Sequence, residues 1–555
     1  MSDLSPDRRH LLAALAAVGV GGSVFQRAVV AQAPKDAAAV TEAMIEQAEW
    51  VAGIKLTEAD RKAIVNGVNR LHRGFDKARK IPLPNSVPPA YAFIPMAEPA
   101  DRGPRGTVEP TSSAVPKKPD AADDLAFLPL TALSQLVRTR AVSSAELTNH
   151  YLDRLKKYDA ALKCVVTLTE DLARKQAEQA DREIAAGRYR GPLHGIPWGA
   201  KDLIAYPGYK TTWGAGHYKD QSLDAKATVA RKLEEAGAVM VAKLTLGALA
   251  MGDKWFGGMT RNPWNVQVGS SGSSAGSASA TVAGLVGFAI GSETMGSIVS
   301  PSSVCGTSSL RPTFGRISRA GCMTLSWTMD KLGPMARSIE DCALILGAIH
   351  GPDGLDAAAV DRPFRWPCPR DLRSLKVGYV ETKTDAKDRK ELQVLRDLGV
   401  KLVPIKMPDR YPADTLSCIL TAECAAAFDD LVRTGANEGL GAWPATFRQG
   451  EFIPAVEYIR ANRIRTLIMR DMEALFETVD LTVGVYDLMI TNYTGHPTAV
   501  LPNGFRKTGD VETPVPLLFT GRLYGETELL AVAHAYQQAT GHHLRRPPLE
   551  KVLPK

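Results

Sequence analysis

From residue 125 onward, helix-period runs and short apolar runs alternate, and that alternation limits the possible folds more than any single motif. "VSSAELTNHYLDRLKKYDAAL" carries apolar residues three and four apart behind a serine cap, the pattern of an amphipathic helix. "CVVTLT" follows as a β-type run, then the helical "DLARKQAEQADREIAAG" and the β-like "PLHGIPWGAKDLI". Farther on, "ATVARKLEEAGA" reads as a helix, "VMVAKL" as a strand and "GLVGFAIGSET" as a fully buried strand. Strands that are apolar along their whole length need cover on both faces. The alternation therefore predicts an α/β domain with helices on both sides of its sheet. Residues 350–458 have weaker periodicity and many polar residues, and read as a variable region of the same domain.

The chain ahead of that domain has a different character. Arg8 and Arg9 precede a fifteen-residue apolar run, 11–25, and Ala31-Gln32-Ala33 supplies a small-residue cleavage pattern. The run is short for a bilayer span and fits a signal-peptide core; the paired arginines resemble a Tat signal, which exports folded proteins. Residues 1–33 are thus read as a Tat-like signal peptide, with the mature chain periplasmic or secreted. Residues 34–81 read as a helical extension in which "TEAMIEQAEWVAGI" and "TEADRKAIVNGVNRLHRGFDKAR" each open on a Thr-Glu cap. By position alone, two roles stay open for it: covering an active site or making a homodimer contact. Residues 82–124 are a connector rich in Pro, Ala, Ser and charge, and 125–545 form the main domain.

Composition narrows the function. With 45% hydrophobic and 23% charged residues, the chain is not wholesale disordered. The net charge of +7 is spread without a basic block, and zinc-finger spacing is missing, so no nucleic-acid partner is implied. Seven scattered cysteines without a C-x-x-C pair read as mostly buried thiols, not a disulfide framework. Nothing calls for a metal or an organic cofactor: there is no ligand cluster, no P-loop and no dinucleotide fingerprint.

The densest chemical signal is "VGSSGSSAGSASA", 268–280. It runs straight into a small-residue helix and a buried strand instead of a second domain, which argues against a flexible linker. A Gly/Ser loop packed on a core must satisfy its amides, and an anion or oxyanion is one destination. Gly272-Ser273-Ser274-Ala275-Gly276 matches the G-x-S-x-G nucleophile elbow of α/β-hydrolases, with Ser274 as nucleophile and His496 or His534 as downstream base. The elbow wants a strand immediately before the serine, whereas "RNPWNVQVGS" begins with a Pro-Trp turn. Ser274, Ser277 and Ser279 are otherwise expected to cap the following helix.

A set of ordered motifs accounts for more of the chain: "GIPWGAKDLI", "NPWN", "SGSSAGSASA", "GSETMGSIVSPSSVCGTSSLRPT", "DKLGPMARSIEDCALIL" and "NYTGHPTAVLPNGF". Together, over residues 125–543, they resemble the amidase signature family. The resemblance implies a single large domain around a mixed central sheet, and a Ser-cisSer-Lys triad: Lys201 as base, Ser273 as proton relay and Ser297 as nucleophile. It also implies an oxyanion hole from the backbone amides of Thr294, Met295, Gly296 and Ser297, donors worth about 3 kcal/mol each. The chemistry is consistent with these residue types. A serine hydroxyl needs a base, and a lysine serves only when burial keeps it neutral. Lys201 sits in an apolar segment, beside Asp202 as an alternative ion-pair partner.

The sequence departs from the family at Met295, usually glycine or aspartate, at Glu293, commonly aspartate, and at Val299, commonly arginine. Asp330 and Arg337 are candidates for the acyl-pocket wall or for core support. The expected activity is hydrolysis of a small-molecule linear amide, with no stable membrane insertion after signal removal. Two other readings share the fold: an amidotransferase-type subunit passing ammonia to a partner, and a catalytically impaired binding protein.

Overall fold

The computed structural model describes residues 39–83, 106–382 and 384–551. The signal-like stretch 1–33 lies outside the described residues. The chain divides into two compact units, residues 1–72 and 73–555. In the first, α1 (Glu42–Ala52) is capped by Thr41, whose hydroxyl accepts from Met44 N–H, and Gly53 ends it in the left-handed region. Helix α2 (Glu58–Arg79) begins the same way, with Thr57 Oγ1 accepting from Asp60 N–H at 3.2 Å. Arg61 and Glu49 pair at 2.6 Å between the two helices.

The second unit is built on an eleven-stranded mixed sheet. Its strands are β1 (Val165–Leu168), β2 (Pro197–Lys201), β3 (Val239–Leu244), β4 (Phe288–Glu293), β5 (Ser308–Arg311) and β6 (Lys331–Ala336), followed by β7 (Lys376–Val380), β8 (Lys401–Ile405), β9 (Leu481–Val483), β10 (Thr498–Thr508) and β11 (Val511–Gly521). The spatial order is β1-β3-β2-β4-β6-β5-β10-β11-β9-β7-β8. β2 runs parallel to β3 and β4, whereas β6 is antiparallel to β4. All six residues of β3 are buried, as the largely apolar "VMVAKL" leads one to expect, its lysine included. Helices α3 (Ser144–Leu162), α4 (Glu170–Ala185) and α5 (Ala275–Val282) supply Leu152, Leu155, Ala177, Ala278 and Val282 to a core that Val239, Val241 and Ala289 complete from the sheet. The α/β architecture with helices over a central mixed sheet agrees with the sequence reading.

Residues 350–458 do more than decorate the domain, because β7 and β8 lie there and extend the sheet in parallel with β9. Their apolar pattern is weak because β8, at the edge, has no fully buried residue. All seven cysteines are free thiols, five of them buried. No helix among the described residues is long and apolar enough to cross a membrane.

Candidate active site

Three segments meet at the C-terminal ends of the parallel strands β2 and β4. The first is the end of β2, where Lys201 is wholly buried. Its Nζ donates to Ser273 Oγ at 2.8 Å, Ser292 Oγ at 2.8 Å, Ser274 Oγ at 3.0 Å and Ser292 O at 3.2 Å. Burial pushes the ammonium pKa down to about 7, against the opposing pull of Asp330 and Glu293. Asp202 does not serve as its counter-ion. It lies 2.8 Å from Lys243 Nζ on β3, and its other oxygen takes the Thr212 N–H and hydroxyl at 2.9 and 2.5 Å. Lys201 is therefore left among hydroxyls.

The Gly/Ser loop is the second segment. The Gly272–Ser273 peptide is cis. A Cβ at Gly272 would stand 1.9 Å from the Gly252 carbonyl oxygen, so only glycine lets the loop approach this closely. The serines do not cap α5, which has no side-chain cap hydrogen bond. Ser277 donates instead to Ile290 O on β4 and Ser279 to Arg261 O, because the helix packs near enough for its hydroxyls to reach those carbonyls. Ser274 is equally committed: its hydroxyl donates to Ser292 O at 3.0 Å and accepts from Ser292 N–H at 3.1 Å. No strand of the main sheet leads into it, since the preceding Asn265–Gly269 belongs to a separate two-stranded ribbon. His496 hydrogen-bonds Thr494 and stacks on Phe476, and burial with Arg311 nearby lowers its pKa to about 3. His534 packs edge-on against Trp366. The elbow arrangement is not assembled.

The third segment, 294–297, joins β4 to α6 (Val299–Cys305). Ser297 is half-buried, and its carbonyl accepts from Ser274 N–H at 3.0 Å, tying this turn to the Gly/Ser loop. Gly296 has φ +99°, and a Cβ there would meet Leu488 Cδ1 at 2.8 Å. Among the described residues, no protein acceptor pairs with the amides of Thr294, Met295, Gly296 or Ser297. Such a run of unpaired N–H groups ahead of a helix is suited to an anionic oxygen. Met295 is half-buried outside the left-handed region and keeps its amide. Val299 is buried against Val500 and Leu518, so an apolar contact occupies this position.

Sequence reasoning left Glu293 without a role, and the structure gives it one. Fully buried, it accepts the N–H groups of Ile298 and Val299 at 2.8 and 2.9 Å on one oxygen. Its other oxygen takes Arg311 Nη1 at 2.7 Å and Asn492 Nδ2 at 2.8 Å. Burial alone would raise this carboxyl, but Arg311 and Lys331 with the hydrogen bonds outweigh it and hold it at about 2. Asp330 accepts from the Thr294 hydroxyl at 2.6 Å and from the Leu325 and Ser326 amides at 2.7 and 2.9 Å. Arg337 donates to the carbonyls of Thr281, Val286 and Leu128, away from this cluster, as core support.

The mixed sheet and its covering helices have the fold of solved peptide amidases. The peptide amidase from Stenotrophomonas maltophilia is 30% identical, with a TM-score of 0.64 over 76% of this chain and 98% of that one. A peptide amidase in complex with the competitive inhibitor chymostatin is 29% identical, with a TM-score of 0.67 over 77% and 99%. Residues 146–484 match the family model described as Amidase, and the chain belongs to that amidase signature family. The glutamyl-tRNA(Gln) amidotransferase A subunit of Moorella thermoacetica is 32% identical over 77% of this chain and 99% of its own length. Its counterpart from Chloroflexus aurantiacus is 34% identical with the same coverage.

Proposed function

We propose that the chain hydrolyses a carboxamide C–N bond through an acyl-enzyme on Ser297. Neutral Lys201 takes the proton of Ser273 as Ser273 takes that of Ser297, whose Oγ attacks the carbonyl carbon. The carbonyl oxygen becomes an oxyanion facing the amides of Thr294, Met295, Gly296 and Ser297. The C–N bond breaks as the proton on Lys201 returns through Ser273 to the leaving nitrogen, releasing ammonia or an amine. Water, deprotonated along the same relay, then cleaves the ester to the carboxylic acid and restores Ser297. The single observation that carries this reading is a wholly buried lysine with its Nζ 2.8 Å from Ser273 Oγ. The expected result is release of ammonia or amine from a carboxamide by the isolated chain, reduced at least a thousandfold in Ser297→Ala. Equal rates in both chains would sink it.

A second reading, an amidotransferase-type subunit, draws on the likeness to amidotransferase A subunits. It requires that ammonia release from glutamine depend on an added partner protein, which the isolated-chain assay separates. The impaired-protein reading has less support: Met295 retains its amide, and Val299 makes an apolar contact with Val500 and Leu518.

The proposed organisation is a signal at 1–33, a helical extension at 34–81, a connector at 82–124 and the amidase domain at 125–545. Export through a Tat-type route is supported by Arg8, Arg9 and the apolar run behind them. Arg8→Lys with Arg9→Lys is expected to leave the chain in the cytoplasmic fraction, while the native chain is recovered outside it. Equal export of both would reject the route.

A further inference from the structure

A cavity of about 810 Å³ lies beside the proposed catalytic residues. Three of its lining residues, Arg319, Met323 and Asp330, also line a small void of about 20 Å³ together with Ser292 and Thr294. Ser292 holds Lys201, and Thr294 begins the amide run, so the cavity is one residue layer from the proposed reaction centre. Small-molecule sites occupy roughly 300–1,000 Å³, and an aliphatic amide of a few atoms would leave most of this volume empty.

Much of the wall is apolar, with hydroxyls such as those of Thr324 and Tyr524 between the apolar groups. Phe314, Met323, Trp327, Leu355, Met469 and Leu523 line it. The charged groups on it are already engaged. Arg319 pairs with both oxygens of Asp356 at 2.8 and 2.9 Å. Arg465 donates to Tyr493 O at 2.5 Å and to Thr328 at 2.7 and 2.8 Å, and Asp330 accepts three hydrogen bonds.

Trp327 stands out on this wall. The loop that bears it is pinned on every side: Ser326 and Thr328 donate to the buried Glu423, Arg319 donates to Trp327 O at 2.7 Å, and Asp330 and Arg465 hold the flanking backbone. Yet Trp327 is 49% exposed. A loop fixed this firmly around a large exposed ring presents that ring to something, because rigid aromatic surface gives contact area at little entropic cost.

We infer that the substrate is an amide bearing an aromatic group, that this group occupies the cavity, and that Trp327 is the residue that selects it. The inference rests on the proposed reading of Ser297, and its test separates the two. Calorimetric binding to the Ser297→Ala chain is measured for benzamide, acetanilide and acetamide, which differ in the presence and side of the ring. In parallel, kcat/KM of the native chain is compared for the same amides with Trp327→Ala and Trp327→Phe.

The expected result is binding of at least one aromatic amide ten or more times tighter than acetamide. The aromatic-over-aliphatic ratio of kcat/KM should fall at least tenfold in Trp327→Ala, mostly through KM, and recover in Trp327→Phe. If an aromatic amide binds ten or more times tighter than acetamide while the native chain hydrolyses nothing, the cavity's preference for an aromatic group holds and the Ser297 reading falls. If acetamide binds and turns over as well as the aromatic amides, or the ratio is unchanged in Trp327→Ala, the inference is overturned and the Ser297 reading stands.

Discussion

Lys201 concentrates the chemical argument into one side chain. A lysine inside an apolar strand is costly unless something uses it, and this one faces three serine hydroxyls in place of a carboxylate. With its pKa lowered to about 7 by burial, its proton-accepting form dominates above that pH. The sign follows directly: kcat/KM is expected to fall about tenfold per pH unit below 7 and to level off above it. Lys201→Arg, which cannot lose its proton, should abolish activity across the whole range. Lys331 is buried as well and is also lowered to about 7, by burial and by Arg311, so the limb must survive in Lys331→Met. A profile flat from pH 5 to 9 would refute the role of Lys201. That Lys201 would lie beside Ser273 was legible in advance because its strand and the loop form contiguous motifs. The Asp202–Lys243 pair was not, because nothing in "VMVAKL" says that its lysine crosses to the neighbouring strand.

At the scale of elements, the turn from β4 into α6 depends on one carboxylate. Glu293 sits at the last position of β4, opposite Lys331 of β6, and reaches forward to the first amides of α6. There it is both cap and counter-charge to Arg311. Glu293→Gln leaves Arg311 buried without an ionised partner, and a stability loss of about 3–5 kcal/mol is expected, seen as a lower thermal midpoint at pH 7. Misplacement of Ser297 should also lower kcat by about a hundredfold. Because its folded pKa, about 2, lies below the ordinary 4.5, the stabilisation is complete above pH 4.5 and is lost as pH falls toward 2. An unchanged midpoint at pH 7 would remove the role. Sequence alone could not show this. The partners Arg311 and Asn492 lie 18 and 199 residues away, Arg311 on β5 and Asn492 on the helix Leu488–Tyr493, and only the fold brings them together. Strands β7 and β8 escaped notice for a related reason: a strand with mixed burial carries little periodic signal.

Across the whole molecule, the alternation of helical and apolar runs was enough to read the α/β class, and the order of six motifs was enough to read the family. Neither disclosed the cavity, whose walls come from separated stretches such as 313–330, 465–469 and 523–524. The central claim is that acyl transfer occurs at Ser297 rather than at any of the neighbouring serines. Its most direct measurement is peptide mapping of the intact chain after reaction with a fluorophosphonate, which captures an activated serine. A single adduct on Ser297, lost in Ser297→Ala and slowed at least a thousandfold in Lys201→Ala, is the expected result. An adduct on Ser274, or labelling of Ser297 at the same rate without Lys201, would contradict it.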